Sequence, residues 1–289
     1  MQTPQSLLFT YYIFILLLSS TIIQLKTVNA QEQDPTTMNG GSIMAMSGQN
    51  CVAIAVDKRF GSGPQMVNVS PRNVLIPNSK CLVAFTGLGG DCQSLAEELS
   101  ILISEKMMGK SSSSGFGFGL EESCGDGSGG EEGGSVTKSI ISPRSMASLT
   151  SHVLYGRRRS PYYVEPIIAG LEPVVVEEEE RGEDDETTTT QKRKKIQYRP
   201  YLCAQDVIGA KSQSESFVCS GVASKSLYGT AEAMWRPNLK PDELARVCGR
   251  AFLSALERDC LSGYGAIVYV ILGGGNGGIM EYDLACRSD

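Results

Sequence analysis

A single histidine limits the chemistry that this chain of 289 residues can perform. A Ser-His-Asp or Cys-His mechanism would have to use His152, because the sequence contains no other imidazole. A metal site built from several histidines is excluded for the same reason. The nine cysteines include no C-x-x-C pair, so neither a zinc knuckle nor a regular disulfide framework is indicated. We interpret most of the cysteines as small buried apolar residues.

Two other sequence patterns are only weak indicators of a binding or modification site. Gly87-x-Gly89-Gly90 is similar to a phosphate-binding loop. No lysine follows it and no βαβ unit surrounds it, so we predict a strand-to-helix turn instead. Asn68-Val69-Ser70 is a glycosylation sequon, which matters only if the chain enters the secretory pathway.

Size and charge narrow the class of protein. The chain is long enough for one large domain or two small ones with a sizeable core. It carries 26 basic and 32 acidic residues, a formal net charge of −6. Without a basic excess to neutralise phosphates, a nucleic-acid-binding protein is not indicated.

The N-terminal segment, residues 1–38, has a different composition from the rest. Residues 7–23 are almost wholly apolar, which is typical of a signal-peptide core or a short membrane anchor. Small residues up to Ala30 would suit signal-peptidase cleavage, but residues 1–5 lack the usual Lys or Arg. An extension from a wrongly assigned start codon is the alternative. Residues 31–40 are polar and are predicted to form a linker.

Beyond the linker, apolar periodicity predicts regular elements. Two strands at 42–47 and 51–57 are joined by a tight turn. Asp91 is predicted to cap a helix that ends near Met108, and Ser142-Pro143 is predicted to start a second helix. Further strands are expected at 166–171, 201–207, 216–220, 266–272 and 278–284, another strand at 81–85, and further helices at 224–235 and after Pro241. Because hairpins dominate over βαβ crossovers, we predict an α+β fold: a four-layer αββα sandwich of two largely antiparallel sheets.

Two stretches interrupt this regularity. Residues 109–135 contain ten glycines and a serine run, and residues 174–195 contain an acidic run, four threonines and a basic tetrad. Both are predicted to be disordered insertions between elements, where extra length costs little closure entropy.

The sequence of residues 39–60, NGGSIMAMSGQNCVAIAVDKRF, strongly resembles the start of a beta-type proteasome subunit of the type-three branch. Many other matches follow in the same order: Thr86-Gly87-Leu88 with Asp91, Leu154-Tyr155, Arg158, Pro161-Tyr162-Tyr163, Glu165-Pro166, Ile168-Ala169-Gly170, Asp206-Val207-Ile208-Gly209, Val218, Ser220-Gly221, Glu257-Arg258-Asp259 and Ser262-Gly263. The resemblance covers residues 39–289 apart from the two insertions. It implies the αββα sandwich of the N-terminal-nucleophile hydrolases, which agrees with the predicted order of elements.

That family is known for threonine proteases, in which an N-terminal threonine hydroxyl is the nucleophile and its own α-amine the base. The family places this threonine sixteen residues before the aspartate that ends the second strand, and here that position is Gly41. The catalytic lysine should fall near Arg72 or Asn73, and an arginine cannot relay a proton as a lysine can. Asp57, Asp259 and Ser262 match the family's supporting residues. The resemblance therefore implies a vestigial site with no catalytic residue.

Two nearby hydroxyl groups offer alternatives. Thr36-Thr37 looks like the start of an active subunit, but it lies too far before Asp57 and follows a proline. Ser42 follows Gly41, so cleavage between them would expose a hydroxyl nucleophile. It is one residue out of register, and in a strand such a shift turns a side chain to the opposite face.

Our leading hypothesis is a non-catalytic structural subunit of the twenty-S proteasome core, with a role in ubiquitin-dependent protein degradation. The resemblance implies alpha and beta subunits as partners in a hetero-oligomer of stacked rings, cytoplasmic and nuclear location, and neither cofactor nor metal. One alternative is a self-processing peptidase that uses Ser42. Another is a secreted or membrane-tethered relative with a binding role, for which the apolar run at 7–23 is the only support.

Overall fold

Two short apolar segments, Ser42–Gly48 and Cys51–Asp57, form the centre of the fold. In the computed structural model, which describes residues 38–39, 41–62, 65–69, 73–107, 141–179, 192–259, 261–274 and 278–285, these segments pair as an antiparallel hairpin with Ile43 opposite Val56. The described residues belong to one compact unit, Met38–Asp289. The strands are β1 (Met38–Asn39), β2 (Ser42–Gly48), β3 (Cys51–Asp57), β4 (Arg59–Ser62), β5 (Gln65–Val69), β6 (Val74–Asn78), β7 (Cys81–Gly87), β8 (Val164–Glu179), β9 (Lys192–Gln205), β10 (Lys211–Ser214), β11 (Phe217–Gly221), β12 (Ala266–Leu272) and β13 (Ile279–Leu284). The helices are α1 (Gly89–Met107), α2 (Pro143–Gly156), α3 (Ser224–Met234) and α4 (Pro241–Leu256).

The strands form two five-stranded sheets, in the orders β10-β9-β8-β7-β6 and β11-β2-β3-β12-β13, and a smaller sheet in the order β1-β4-β5. Every strand pairing among the described residues is antiparallel. The prediction of largely antiparallel sheets is therefore confirmed.

Successive side chains of a strand point to opposite faces of its sheet, so the core is divided into three apolar layers. Ile43, Ile54 and Leu82 belong to the cluster formed by the facing surfaces of the two large sheets. Met44 and Met46, on the opposite side of β2, pack in the cluster that includes α3 and α4. A third cluster joins β7, β8 and β9 to α1 and α2. These layers give the order helix, sheet, sheet, helix, which is the predicted αββα sandwich.

Two helix starts were predicted from capping residues, and the structure agrees with one of them. Ser142 is the N-cap of α2, where its Oγ accepts a hydrogen bond from the Ser145 N–H at 3.1 Å, and Pro143 follows in the first turn. This start agrees with the sequence prediction. Asp91 is not a cap as predicted, because α1 already begins at Gly89. Its Oδ2 instead accepts a hydrogen bond from the Tyr163 N–H at 2.9 Å, which fixes the loop before β8.

Part of the second predicted insertion is regular structure. The backbone of Val174–Glu179 continues β8 and that of Lys192–Lys195 continues β9, with Val174 opposite Gln197 and Glu179 opposite Lys192. The described start of the acidic run, Glu177–Glu179, thus pairs through its backbone with Lys192–Lys194 of the basic tetrad, along one long hairpin. Residues 180–191, the first insertion at 109–135 and residues 1–37 lie outside the described residues.

No helix in the described part of the chain is long and apolar enough to cross a membrane.

Candidate functional site

The site predicted from the sequence is centred on Gly41, directly before β2. Gly41 has φ +77°, and its carbonyl oxygen accepts a hydrogen bond from the Thr86 hydroxyl at 2.9 Å. Gly221, at the end of β11, closes the opposite side: a Cβ added to it would lie 2.5 Å from the Gly41 carbonyl oxygen. The ends of β2, β7 and β11 therefore converge on this glycine.

The space beside Gly41 is already occupied. A Cβ added to Gly41 would lie 2.9 Å from the Asp57 Cβ, 3.2 Å from the Asp57 Oδ2 and 3.0 Å from the Arg59 carbonyl oxygen. The left-handed backbone conformation also disfavours any β-branched residue here. A threonine would fit at position 41 only if the surrounding backbone moved.

Asp57 ends β3 and is almost completely buried, with 1% of its surface exposed. Its Oδ1 accepts a hydrogen bond from the Arg59 N–H at 3.0 Å, whereas its Oδ2 has no hydrogen-bond partner among the described residues. Burial raises the pKa of the Asp57 carboxyl from its usual 3.8 to about 7. The nearby backbone N–H groups of Arg59, Gly263 and Lys58 and the Arg59 guanidinium favour the carboxylate, but they do not offset the desolvation.

The raised pKa of Asp57 gives an expected pH dependence of stability. Between pH 3.8 and about pH 7 the folded state binds the proton that the unfolded state has lost, so the free energy of unfolding should fall as the pH rises through this range. Asp57→Asn keeps the size but stays uncharged, so this fall should be smaller in the variant. Urea unfolding of both proteins, at a pH near each end of the range, measures the difference.

The control for that experiment is Asp242→Asn, which removes an exposed carboxylate from the first turn of α4. We expect the control to keep the pH dependence of the unchanged chain. The same pH dependence in Asp57→Asn and the unchanged chain would show that Asp57 is not the group responsible.

Asp259 and Ser262 form a hydrogen-bonded turn after α4. The Ser262 hydroxyl donates to the Asp259 Oδ2 at 2.7 Å, and the Leu261 N–H donates to the Asp259 Oδ1 at 3.2 Å. The buried Arg59 guanidinium donates to the Leu261 carbonyl oxygen and so connects this turn to the strand that follows Asp57. The structure thus brings Gly41, Asp57, Arg59 and the Asp259–Ser262 turn into one connected region.

The position expected for a lysine is only partly described. Arg72 lies outside the described residues. Asn73 is described, and its carbonyl oxygen accepts a hydrogen bond from the Phe85 N–H at 2.8 Å. Its buried Nδ2 has no hydrogen-bond partner among the described residues, and an amide cannot carry the positive charge of a lysine.

Comparison with known proteins identifies the family. The family model described as "Proteasome subunit" matches residues 37–110 and 195–271. The chain is 34% identical to proteasome subunit beta type-3 of Oryza sativa subsp. japonica over 233 residues, which are 81% of this chain and 90% of that relative. The beta type-3 subunits of Picea mariana and Drosophila melanogaster are 33% and 29% identical over the same shares.

The chain belongs to the proteasome subunit family. The predicted resemblance to type-three beta subunits is confirmed, as are the fold class and the predicted function as a subunit of the proteasome core. Membership of this family implies assembly with other proteasome subunits.

The alternative nucleophile, Ser42, is fully buried in this proteasome subunit. Its Oγ accepts a hydrogen bond from the Ala223 N–H at 3.0 Å, just before α3. The hydroxyl therefore positions the start of a helix and is enclosed on all sides. Thr36-Thr37, the other alternative, lies outside the described residues.

A cleft of about 800 Å³ includes Asn73, one of the positions expected for a lysine, in its lining. This cleft was not predicted from the sequence. Asn73, Phe85 and the first turns of α1 line it together with Phe60 from β4. Gly89 has to be small here, since an added Cβ would lie 2.7 Å from the Phe60 ring. Because the lining comes from segments far apart in the sequence, no local pattern could have indicated the cleft.

The structure also places the remaining chemical candidates from the sequence. The Gly87-x-Gly89-Gly90 segment is the predicted strand-to-helix turn between β7 and α1. Six described cysteines are free and buried, as interpreted from the sequence: Cys51, Cys81, Cys92, Cys203, Cys219 and Cys248. Burial raises the pKa of the Cys81 thiol to about 12, so it is not a reactive thiolate at neutral pH. His152 is exposed on α2, and no group of three or more His, Cys, Asp or Glu in the described ranges could hold a metal ion.

Proposed function

We propose that this chain is a non-catalytic beta subunit that occupies one position in the beta ring of the proteasome core and has no peptidase activity of its own. The residues at which a catalytic subunit would carry its nucleophile and lysine are Gly41 and a position near Arg72 or Asn73. Gly41 has no hydroxyl, and neither Arg72 nor Asn73 can act as a proton relay at neutral pH. The chain keeps the supporting residues Asp57, Asp259 and Ser262. Without a nucleophile beside them, these residues have no group to activate.

The crowding around Gly41 is the observation that carries this proposal. Asp57 and the Arg59 carbonyl oxygen occupy the volume that a side chain at position 41 would need. The buried carboxyl of Asp57, whose Oδ2 has no hydrogen-bond partner among the described residues, fits a site that lacks the lysine of a catalytic subunit. These features support a structural role for the chain and not a peptidase activity.

The proposed assembly has two kinds of contact between subunits. A ring of different subunits is built from heterologous side-to-side contacts, and two stacked rings add isologous contacts. We propose alpha and beta proteasome subunits as partners and a cytoplasmic and nuclear location. We also propose that residues 39–289 form the subunit domain and that residues 1–38 are a separate N-terminal segment.

The location can be tested through Asn68, which lies exposed on β5 within the glycosylation sequon. A cytoplasmic and nuclear chain should show no mass change when treated with a glycosidase. A sugar-dependent mass shift at Asn68 would instead support the secreted or membrane-tethered alternative suggested by the apolar run at 7–23.

Ser262→Ala tests the absence of catalysis at the site. Loss of the 2.7 Å hydrogen bond to Asp259 should cost about 0.5–1.5 kcal/mol of stability, so less assembled core is expected. Peptide turnover per assembled particle should stay unchanged, because the variant removes a support and not a nucleophile. Native-gel quantification of the core, combined with fluorogenic peptide turnover, separates the two quantities.

Ser104→Ala is the matched control, since Ser104 is exposed on α1 and its hydroxyl donates to the Ser100 carbonyl oxygen of the same helix. It should change neither core yield nor turnover. A loss of turnover per particle in Ser262→Ala, with normal core yield, would show that this site is catalytic.

A further inference from the structure

We propose that Ser160 is a phosphorylation site for an arginine-directed serine kinase, and that its phosphate binds Arg157 in competition with Glu98. Ser160 follows Arg157-Arg158-Arg159 directly, and all four residues are exposed. They lie in the seven-residue loop between the end of α2 and the start of β8. The inference concerns regulation of the subunit and does not depend on whether the Gly41 site is catalytic.

The local structure leaves Ser160 available to an enzyme. Its backbone N–H donates to the Arg157 carbonyl oxygen at 2.9 Å, a short-range turn contact. Opening such a turn disturbs little tertiary packing, so the segment can extend into a kinase cleft at low cost. The loop is also held after Ser160, where the Tyr163 N–H donates to the Asp91 carboxylate.

The arginines supply the recognition chemistry. Guanidinium groups form charge-assisted, bidentate contacts with carboxylates, which line the substrate clefts of kinases that act on basic sequences. The Arg158 guanidinium lies 4.9 Å from the centre of the Tyr155 ring, and Tyr155 is itself 56% exposed. Arg158 is therefore displayed at the surface by a neighbouring aromatic side chain. The three arginines, residues 157–159, also lie directly after the C-terminus of α2, where positive charge is stabilised by the helix dipole.

The reaction is an ordinary phosphoryl transfer with ATP as the donor. A bond forms between the Ser160 Oγ and the γ-phosphorus, and the bond from that phosphorus to the β–γ bridging oxygen breaks to release ADP. The hydroxyl proton passes to the catalytic aspartate of the kinase.

The phosphate would change a specific contact between the loop and α1. The Arg157 guanidinium now lies 3.1 Å from the Glu98 Oε2 and stacks over the Tyr162 ring at 4.5 Å. The Tyr162 hydroxyl donates to the same Glu98 oxygen at 3.1 Å. A phosphoserine three residues after Arg157 carries about −1.5 to −2 charges and offers three strong acceptors, against the single charge of Glu98. Both partners of the present ion pair are partly exposed, at 49% and 34%, so the pair is easily exchanged.

The first test treats the purified full-length chain with ATP and the catalytic subunit of cyclic-AMP-dependent protein kinase, which selects arginine-rich sequences. Peptide mapping by mass spectrometry should place one phosphate on Ser160, and Ser160→Ala should lose it. The double variant Arg158→Gln, Arg159→Gln keeps the Arg157–Glu98 pair and should slow the incorporation at Ser160 by about tenfold or more. The control Lys225→Gln, Arg236→Gln removes two exposed charges elsewhere and should not slow it.

No phosphate on Ser160, while a standard peptide is labelled in the same reaction, would overturn the proposal. Transfer by a proline-directed kinase alone, at a rate that the arginine variants do not change, would overturn it as well, because Pro161 and not the arginines would then be the recognised feature.

A second test asks whether the phosphate binds Arg157. The charged groups of the loop are Arg157, Arg158 and Arg159, and those of α1 that contact the loop are Glu98, which pairs with Arg157, and Asp91, which accepts from the Tyr163 N–H. In a phosphorus NMR titration, the second pKa of phosphoserine should lie below its usual value of about 6, and Arg157→Gln should move it back towards that value. Equal midpoints in the unchanged chain and in Arg157→Gln would contradict the proposed competition.

Discussion

Replacing Leu99 with alanine is expected to lower the free energy of unfolding by about 2–5 kcal/mol. Leu99 is completely buried on the inner face of α1, within the cluster that joins this helix to β7 and β8. Truncation removes apolar contacts and leaves a cavity that a rigid sheet cannot fill. Leu244→Ala should have a similar cost, because Leu244 is completely buried between α4 and the other large sheet.

The matched control lies two residues further along the same helix. Ile101 is 59% exposed, so Ile101→Ala should change stability much less than Leu99→Ala. Urea unfolding gives the free energies, and native gels of the assembled core should show the same order of particle yield. Equal losses for the two variants would contradict the position of α1 against the sheet.

Restoring the nucleophile by Gly41→Thr is expected to destabilise the chain and to produce no peptidase. The added Cβ would lie 2.9 Å from the Asp57 Cβ and 3.0 Å from the Arg59 carbonyl oxygen, so the ends of β2 and β3 would have to separate. A β-branched residue held at φ +77° adds about 1–3 kcal/mol of backbone strain. Even with the hydroxyl in place, no lysine stands at position 72 or 73 to assist it.

Gly229→Thr is the control for this substitution. Gly229 lies on α3 with open space beside it, so the same added atoms should be tolerated there. Thermal unfolding and fluorogenic peptide turnover of assembled core would be measured for both variants. A stable Gly41→Thr subunit with new turnover would show that the site is merely missing one residue and is not closed around Gly41.

The sequence predicted the elements whose signals are local. The β2–β3 hairpin followed from alternation around a tight turn, and the start of α2 followed from Ser142 and Pro143. The short strands β1, β4, β5, β6 and β10 were not predicted, because they are only two to five residues long and their pairing depends on neighbours in space. Lys, Ser and Gln, which are not strong strand formers, make up all of β10. The ends of β8 and β9 were assigned to an insertion because long charged runs are typical of disorder, whereas here they pair with each other.

The candidate site likewise combines features that could be predicted from the sequence with features that depend on the fold. The family resemblance gave the residue numbers, and the structure brings Gly41, Asp57 and the Asp259–Ser262 turn together. The closed space at Gly41 could not be predicted, because it depends on the approach of Asp57, Thr86 and Gly221 from three different strands. The raised pKa of Asp57 has the same origin, since burial is set by the fold and not by adjacent residues.

The most direct test of the central claim is the intact mass of this chain in a core particle treated with an electrophilic peptide inhibitor. Such inhibitors react with N-terminal hydroxyl nucleophiles, so the catalytic beta subunits of the same particle provide an internal positive control. We predict that those subunits gain the mass of the inhibitor while this chain, purified with them, keeps its own mass. An inhibitor adduct on this chain, at Ser42 or at any other new N-terminus, would contradict the assignment as a non-catalytic subunit.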